Sequence, residues 1–586
     1  MTTEQGIIIC FCAILVILVI QFARNQKMNK ENFLRRAREA FGAVPDREYE
    51  VEELERVSHY FKNYKKKAEF YLDDLTWNDL GMEDIFLLMN QTYSSIGEDY
   101  LYWLLRTPVS DEKVLREREA LICYFQTHEP ERLRLQYVYQ QLGRMRKHSI
   151  SDYLIRLKNL TGSGNLIHYL VILAEAVSVG TLFLDSSAGV LCLIASFGYG
   201  AYSYYRHKAA VEPYYDSLKQ ISGMLRYTDE LIVADCKELQ GYYQELKALK
   251  KECAGLLKGI GLITSGGMAG SPQEMVLEYV RIFTHIDLIQ FQRMLKILKE
   301  KEQEISRMLE IYGYIESMIA VASFRELLGA YCVPEFVSSD AGALHVQREA
   351  RATSFPDSKN GRPQLTIEEM YHPQIDAPVT NSIQTTDGVL ITGSNASGKS
   401  TFLKTVGICA VLAQTIMTVP AKRYQADFFK LYSSMAIKDD LSLKESYYLA
   451  EIKALRRILQ AGEDEQAKNG YVLCLVDEVL RGTNTVERIA ASAQVLKGLS
   501  GSNVLCFAAT HDIELTYMLE HFYTNYHFEE EICEGDIRFD YRIREGRAVT
   551  RNAIRLLALL GYPEEMIEAA DETAKEFMEK GEWRCL

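Results

Sequence analysis

Residues 388–401 read GVLITGSNASGKST, and this stretch decides the fold class of the C-terminal part of the chain. An apolar strand, GVLIT, leads into a segment that fits G-x-x-x-x-G-K-[ST], after which a helix is expected to begin. Glycines in such a loop let backbone N–H groups wrap phosphate oxygens, and the N-terminus of the next helix adds positive potential. The stretch therefore predicts a phosphate-binding loop (P-loop) between a buried strand and a helix.

The side chains of this loop predict ATP and Mg²⁺ as its ligands. Lys399 is predicted to neutralise the β- and γ-phosphates, and Ser400 to hold Mg²⁺ through its hydroxyl. The residues predicted to surround the nucleotide are Gly393, Ser394, Asn395, Ala396, Ser397, Gly398, Lys399, Ser400 and Thr401.

Two further apolar runs, at 472–476 and 504–508, end in residues suited to hydrolysis. Asp477 and Glu478 follow the first run: Asp477 is predicted to share Mg²⁺ with Ser400, and Glu478 to orient or deprotonate the attacking water. His511 follows the second run, at the strand end where open α/β sheets bind ligands, and is predicted to contact the γ-phosphate. A purely structural histidine is the alternative. Together with Lys399, Glu478 and His511 form the predicted catalytic set.

The same apolar runs predict the architecture around the loop. Residues 389–392, 472–476 and 504–508 are short and flanked by glycine or polar residues, which is typical of buried parallel strands in an α/β domain. Upstream, residues 24–165 and 206–330 carry apolar residues at helical spacing with few glycines. One stripe predicts a long amphipathic helix that packs in a core of long helices; it comprises Phe291, Leu295, Leu298, Ile305, Leu309, Tyr312 and Ile319.

Three apolar segments predict membrane helices. Residues 6–23 read GIIICFCAILVILVIQFA, 18 residues without a charge, and are followed rather than preceded by positive residues. Residues 166–184 and 188–205 form a second, split zone, with positive residues at both outer ends. The positive-inside rule then predicts a multi-pass protein of the cell membrane with its ATPase domain in the cytosol. A buried soluble helical hairpin is the alternative for 166–205.

Composition limits the classes of partner. Lys and Arg number 66 against 80 Asp and Glu, a formal net charge of −14, which argues against a protein coated with positive charge for gripping nucleic acid. Local basic candidates remain at Lys65, Lys66 and Lys67 and at Arg144, Arg146 and Lys147. The twelve cysteines contain no CxxC pair, and we expect reduced thiols rather than a zinc site.

The order of short motifs resembles that of MutS-family ATPases. DEVLRGTNT at 477–485 is similar to the family's Walker B strand end and following loop, and residues 71–111 are similar to its core domain. The other matching segments are YHP at 371–373, VPA at 419–421, DDLSLKESYYLAEI at 439–452, ATHDIELT at 509–516, NYHF at 525–528 and the tail from 550.

This resemblance implies a dimeric switch driven by ATP. Ser446 matches the signature serine that reaches the γ-phosphate of the partner subunit, and residues 550–586 match the helical dimerisation element. The resemblance further implies a homodimer that binds double-stranded DNA, mismatched or distorted. The family's mismatch-reading domain precedes its core by a few hundred residues, yet only about 70 residues precede it here, which predicts a member without that domain.

The predicted fold class is α plus α/β: a long-helix core and lever with a transmembrane helical hairpin, then an ABC-like P-loop ATPase domain with a helical dimerisation element. The predicted boundaries are 1–23 for the anchor, 24–70 for a helical linker, 71–165 for the core, 166–205 for the hairpin, 206–330 for the lever helices, 331–549 for the ATPase domain and 550–586 for the tail. The alternative function is a membrane-associated ATPase whose levers act on an unknown protein partner or on the membrane.

Overall fold

The computed structural model describes most of the chain: residues 3–145, 149–159, 164–232, 236–258, 272–337, 362–394, 397–435, 447–466, 470–481, 483–533, 536–548, 554, 557 and 561–580. The chain forms two compact units. Unit 1 comprises Met1–Glu69, Phe86–Thr107 and Arg116–Leu327, and unit 2 comprises Phe70–Ile85, Pro108–Leu115 and Leu328–Leu586.

Helices dominate the first part of the chain, and strands enter after residue 334. The helices are α1 Thr3–Ala40, α2 Val51–Tyr64, α3 Asp74–Asp79, α4 Met82–Met89, α5 Ser95–Arg106, α6 Glu112–Thr127, α7 Glu129–Leu142, α8 Ile150–Asn159, α9 Leu166–Thr181, α10 Ser186–Val211, α11 Tyr215–Leu231, α12 Gln240–Cys253, α13 Pro272–Thr284, α14 Ile286–Glu300, α15 Glu302–Leu328, α16 Lys399–Ile416, α17 Tyr447–Gln466, α18 Thr485–Gly498, α19 Ile513–Met518 and α20 Glu564–Lys580. The strands are β1 Glu335–Phe336, β2 Leu365–Met370, β3 Asn381–Thr385, β4 Gly388–Thr392, β5 Arg423–Ala426, β6 Phe429–Ser434, β7 Tyr471–Asp477, β8 Val504–Thr510, β9 Tyr523–Cys533 and β10 Asp536–Glu545.

The apolar stripe that begins at Phe291 is buried throughout, from Phe291 at 1% exposed to Ile319 at 2%. It does not lie on one continuous helix, because α14 ends at Glu300 and α15 begins at Glu302. Lys301 leaves the helical conformation with φ −119°, and its Nζ donates to carboxylates of Glu252 and Glu304, 2.8 Å away in each case. The stripe is therefore core packing, distributed over two successive helices.

A buried ionic cluster joins α2 to α5 in unit 1. The guanidinium of Arg56 contacts Glu98 and donates to Asp99 at 2.8 Å, and Arg47 donates to Glu98 at 2.6 Å. The side chains of Arg56 and Glu98 are both inaccessible to solvent. Buried charges are tolerated when paired, but removing one partner of such a pair costs about 3–5 kcal/mol. The cluster thus fixes how these two helices pack.

Unit 2 contains the predicted α/β sheet. Its six strands lie in the order β10-β9-β4-β8-β7-β6, and all neighbours are parallel except the β9–β10 pair. Strands are present at all three predicted places, as β4, β7 and β8. Their side chains are almost entirely buried, because helices cover parallel sheets and leave neither face for water. A second sheet has the order β1-β5-β2-β3.

A short segment from the N-terminal half of the sequence belongs to unit 2. Asp79, at the end of α3, accepts hydrogen bonds from the Ser433 hydroxyl at 2.6 Å and from the Met435 backbone at 3.0 Å. Asp73, which caps α3, contacts the guanidinium of Arg457 on α17. These contacts hold α3 against β6 and α17, so residues 70–85 are part of the sheet-containing unit.

In the part of the chain that the structure describes, no helix combines the length and apolar character needed to cross a bilayer. The hairpin helix α9 has 16 residues, roughly 24 Å of helix, against a hydrocarbon core of about 30 Å. The longer α10 mixes Ser, Gly and Tyr with its apolar residues. The predicted anchor at 1–23, the transmembrane hairpin at 166–205 and the multi-pass cell-membrane location are therefore wrong. The predicted fold class, which includes the transmembrane hairpin, is therefore wrong as well. The described chain is a mixed α/β structure.

Candidate nucleotide-binding site

The P-loop lies between the end of β4 and the start of α16. Gly393 and Gly398 have φ angles of +151° and +105°, which side chains with a Cβ rarely adopt, so glycine at both positions lets the chain turn sharply into the helix. A Cβ on Gly398 would also lie 3.3 Å from Cδ1 of Tyr541. Within the loop, the Ser397 hydroxyl donates to the Ser394 carbonyl at 2.8 Å, which closes the turn just before α16.

Lys399 points into its own loop. Its ammonium donates to the carbonyl oxygens of Gly393 at 2.8 Å and Ser394 at 2.7 Å, and the residue is 5% exposed. Burial lowers the Lys399 pKa, and the negative charges of Asp477 and Glu478 oppose that shift. Phosphate oxygens are better partners for an ammonium than carbonyl oxygens are, because charge-assisted hydrogen bonds are stronger.

Ser400, on the first turn of α16, meets Asp477 at the end of β7. The Ser400 hydroxyl donates to Oδ2 of Asp477 at 2.5 Å. The other carboxylate oxygen, Oδ1, is buried and has no hydrogen-bond partner. Burial raises the pKa of Asp477, and the hydrogen bond from Ser400 partly offsets the shift. A hydroxyl beside a carboxylate with one free oxygen fits Mg²⁺, which takes oxygen ligands and keeps several waters.

Both carboxylate oxygens of Glu478 contact nitrogen atoms of neighbouring side chains. Its Oε1 lies 2.7 Å from Nε2 of His511, and its Oε2 lies 2.9 Å from Nε of Arg481. The backbone of Glu478 has φ +54° and its N–H donates to the Ala509 carbonyl at 2.9 Å. The carboxylate is thus fixed by both strand ends, β7 and β8. Arg481 was missed by sequence reasoning; its position three residues after Glu478 in DEVLRGT was the available signal.

Three predicted nucleotide-contacting residues lie outside the described residues: Asn395, Ala396 and Ser446. Thr401 is described and is exposed on the first turn of α16. The structure therefore brings together Lys399, Ser400, Asp477, Glu478 and His511.

A cavity of about 620 Å³ opens beside the loop, within the range for small-molecule sites. P-loop residues and Glu478 line one part of it, and Ile375, Pro378 and Val379 line an apolar part. The aromatic residues Tyr541 and Phe528, from the β9–β10 hairpin, also line the cavity. Sequence reasoning missed Tyr541 at this site, because nothing in the local pattern relates β10 to the P-loop.

Comparison with known proteins places this site in a family. Residues 389–578 match the sequence profile of MutS domain V. Residues 389–578 belong to the MutS family. The match begins one residue after β4 does and covers the strand ends at which Lys399, Asp477, Glu478 and His511 lie.

Several curated proteins of the family resemble the chain over part of its length. The chain is 32% identical over 237 residues to the DNA mismatch repair protein MutS of Aquifex pyrophilus, covering 38% of the chain and 27% of that protein. It is 26% identical over 346 residues to MutS of Fervidobacterium nodosum, covering 55% and 39%. With MutS protein homolog 4 of Mus musculus it shares 28% identity over 327 residues, covering 50% and 32%. The chain thus matches less than half the length of these MutS relatives.

The basic residues proposed for DNA contact are partly engaged in unit 1. Lys67 pairs with Glu310 at 2.5 Å and lies 4.5 Å from the ring centroid of Tyr64. The Arg144 guanidinium donates to the Thr92 carbonyl, although the residue is exposed. Arg146 and Lys147 lie outside the described residues. The 3₁₀ turn Lys65–Lys67 contains no buried residue, so the described basic candidates at both places are accessible to phosphate.

Glu530 places a carboxylate beside the P-loop. It accepts a hydrogen bond from the Ser394 hydroxyl, and its charge acts on Lys399. A negative charge beside the loop repels nucleotide phosphates, so Glu530→Gln is expected to tighten ATP binding by about threefold to tenfold. Titration of the purified protein with ATP measures the effect.

The matched control is Glu545→Gln, which makes the same charge change at an exposed position on the same hairpin. It is expected to leave ATP affinity unchanged. Weaker binding in Glu530→Gln would mean that the Ser394–Glu530 contact supports the loop rather than opposing the ligand.

Proposed function

We propose that the chain is an ATPase that hydrolyses ATP to ADP and phosphate with Mg²⁺, working as a dimeric switch on double-stranded DNA. The observation that carries the ATPase part is the convergence of functional side chains at the carboxyl ends of adjacent strands. Lys399 and Ser400 follow β4, Asp477 ends β7, and His511 follows β8, which lies between β4 and β7 in the sheet. Ligands bind at this edge of open α/β sheets.

The binding step is assigned to the P-loop. The loop glycines and the N-terminus of α16 receive the phosphates, and Lys399 exchanges its two carbonyl partners for phosphate oxygens. Ser400 and the free Oδ1 of Asp477 would hold Mg²⁺, which supplies neutralising charge to the phosphates when bound. Tyr541 and the apolar cavity wall suit the base, because a nucleobase stacks well on an aromatic ring.

The hydrolytic step is assigned to Glu478. Its carboxylate orients the attacking water and accepts its proton, while His511, 2.7 Å from Oε1, holds the carboxylate at the strand end. Arg481 restrains the other carboxylate oxygen through a largely exposed contact, which is a weak restraint. His511 is also assigned to contact the γ-phosphate, and its place at the same sheet edge as Lys399 supports this assignment.

The dimeric part of the proposal rests on the family. We infer a homodimer in which each site is composite, with Lys399 from one protomer and Ser446 from its partner. Residues 550–586, of which α20 is the longest described element, are the proposed dimerisation element.

DNA is proposed as the ligand because relatives of the chain are named DNA mismatch repair proteins. Binding to phosphates alone carries no base information. We therefore expect duplex affinity to fall steeply with salt, by about tenfold or more between 50 and 200 mM, and to differ less than about tenfold between matched and mismatched duplexes.

Affinity for matched and mismatched duplexes at both salt concentrations, and the ATPase rate with each duplex, provide the test. Stimulated hydrolysis together with steep salt dependence supports the proposal. A mismatch preference above about tenfold, roughly 1.4 kcal/mol, would reveal base or shape readout by this chain. If no duplex binds at low salt, DNA is not the ligand and a protein partner takes its place.

A further inference from the structure

The β9–β10 hairpin is irregular where it passes the nucleotide cavity. The pairing register shifts between Phe539 and Ile543, which marks a β-bulge. Tyr541 lies inside this bulge with φ +54°, in the left-handed region. This backbone conformation is unfavourable for tyrosine, and a non-glycine residue adopts it only where contacts with the surrounding structure stabilise it. The bulge also interrupts the ladder hydrogen bonds of the two strands, so its backbone groups need other partners.

The side chain of Asn381 supplies those partners. Asn381 is the first residue of β3, and its Nδ2 donates to the carbonyl of Tyr541 at 2.9 Å. Its Oδ1 accepts from the backbone N–H of Ile543 at 2.8 Å. A carboxamide carries a donor and an acceptor side by side, so one side chain satisfies both ends of the bulge. The two contacts span 160 and 162 residues of sequence.

The bulge determines where the Tyr541 ring lies. The ring packs against the P-loop, with Cδ1 3.3 Å from the position that a Cβ of Gly398 would take. The residue remains 46% exposed and lines the cavity, as does Asn381 itself. The ring is therefore supported by the loop on one side, its centroid lies 6.0 Å from that of the Phe539 ring, and its exposed part is open to a ligand. A regular β-hairpin without the bulge would alternate its side chains differently and would aim residue 541 elsewhere.

We propose that Asn381 is a positioning residue for the nucleotide base: it clamps the bulge that holds the Tyr541 ring beside the P-loop, where the base stacks. This inference rests on the proposed ATPase function. It predicts that Asn381 acts on the base through Tyr541 and has little effect on the phosphates, which Lys399 and the loop bind.

The test compares ATP with inorganic tripolyphosphate, which carries the phosphates without the base, both with Mg²⁺. Asn381→Ala is expected to weaken ATP binding about tenfold, a share of the stacking energy of a base on an aromatic ring. Tripolyphosphate affinity is expected to stay within about twofold of wild type, and turnover at saturating ATP is expected to change little. Tyr541→Ala should show the same pattern.

The double variant Asn381→Ala with Tyr541→Ala decides whether the two residues act together. In the Tyr541→Ala background, Asn381→Ala is expected to add nothing to the loss of ATP affinity, because the clamped ring is already gone. Asn381→Asp keeps size and the acceptor for Ile543 but loses the donor to Tyr541, so an intermediate loss is expected. It also provides the measurement if Asn381→Ala does not fold, as judged by thermal unfolding.

Three results would overturn the inference. Equal losses for ATP and tripolyphosphate would make Asn381 a general support of the site, and additive losses in the double variant would make it independent of Tyr541. Wild-type affinities that are equal for the two ligands would remove any role for the base. A wild-type chain that binds neither ligand would contradict the proposed function itself, which separates that failure from the others.

Discussion

Lys399→Ala is expected to abolish ATP binding, weakening it by at least about 100-fold. Lys399 is the cation at the centre of the loop, and its ammonium already lies among the P-loop carbonyls of Gly393 and Ser394. Hydrogen bonds to charged groups each contribute about 1.5–3 kcal/mol, and two such contacts to phosphate are lost. Since about 1.4 kcal/mol corresponds to a tenfold change in affinity, their loss gives the stated weakening. Equilibrium binding of ATP with Mg²⁺ measures it.

Two variants separate the loss of charge from damage to the loop. Lys399→Met keeps the apolar stem of the side chain and is expected to lose as much affinity as Lys399→Ala. Lys422→Ala removes a lysine that pairs with Glu369 at an exposed position of unit 2, and is expected to bind ATP normally. Near-normal affinity in both Lys399 variants would show that the phosphates lie elsewhere.

Glu478→Gln is expected to retain ATP affinity within about threefold and to lose about 10²–10⁴-fold in turnover, the range for removal of a general base. Binding is retained because Lys399, Ser400 and Asp477 still provide the contacts to phosphate and Mg²⁺. The amide keeps an acceptor for His511 but cannot take a proton from water. Steady-state hydrolysis and ATP titration of the same preparation give the two values.

The control is Glu487→Gln, the same chemical change at an exposed position in the first turn of α18. It is expected to hydrolyse ATP at the wild-type rate. Normal turnover in Glu478→Gln would remove the assignment of Glu478 as the base. A parallel loss of ATP binding would instead give the carboxylate a structural role in the loop, through its contacts with His511 and Arg481.

Hydropathy misled the interpretation of 166–205. Both segments are apolar enough in composition to suggest membrane helices, but helix length and the placement of polar residues decide whether a bilayer can be crossed. α9 ends at Thr181, and α10 carries polar residues at intervals along its length. His168, within the first segment, is buried, and its Nδ1 lies 2.9 Å from that of His285. The average hydropathy of a segment reports neither where a helix ends nor which distant side chain its residues contact.

Local pattern was sufficient for the P-loop and the strands around it. The glycines at 393 and 398, the apolar runs and the residues that end them are consecutive in sequence, and each reports the backbone conformation of its own segment. For this reason the sequence alone identifies four candidate residues: Lys399, Asp477, Glu478 and His511. Their chemical roles stay predictions.

Only the tertiary structure brought Tyr541, Glu530 and Arg481 to the site and made Asn381 a clamp. Their positions depend on features that local sequence does not contain: a register shift in the β9–β10 hairpin, a turn after β7, and hydrogen bonds that span as many as 162 residues. Sequence periodicity describes neighbours three or four positions apart in a helix and two apart in a strand. It carries no information on which distant backbone groups a bulge leaves unpaired, and that pairing decides where the Tyr541 ring lies.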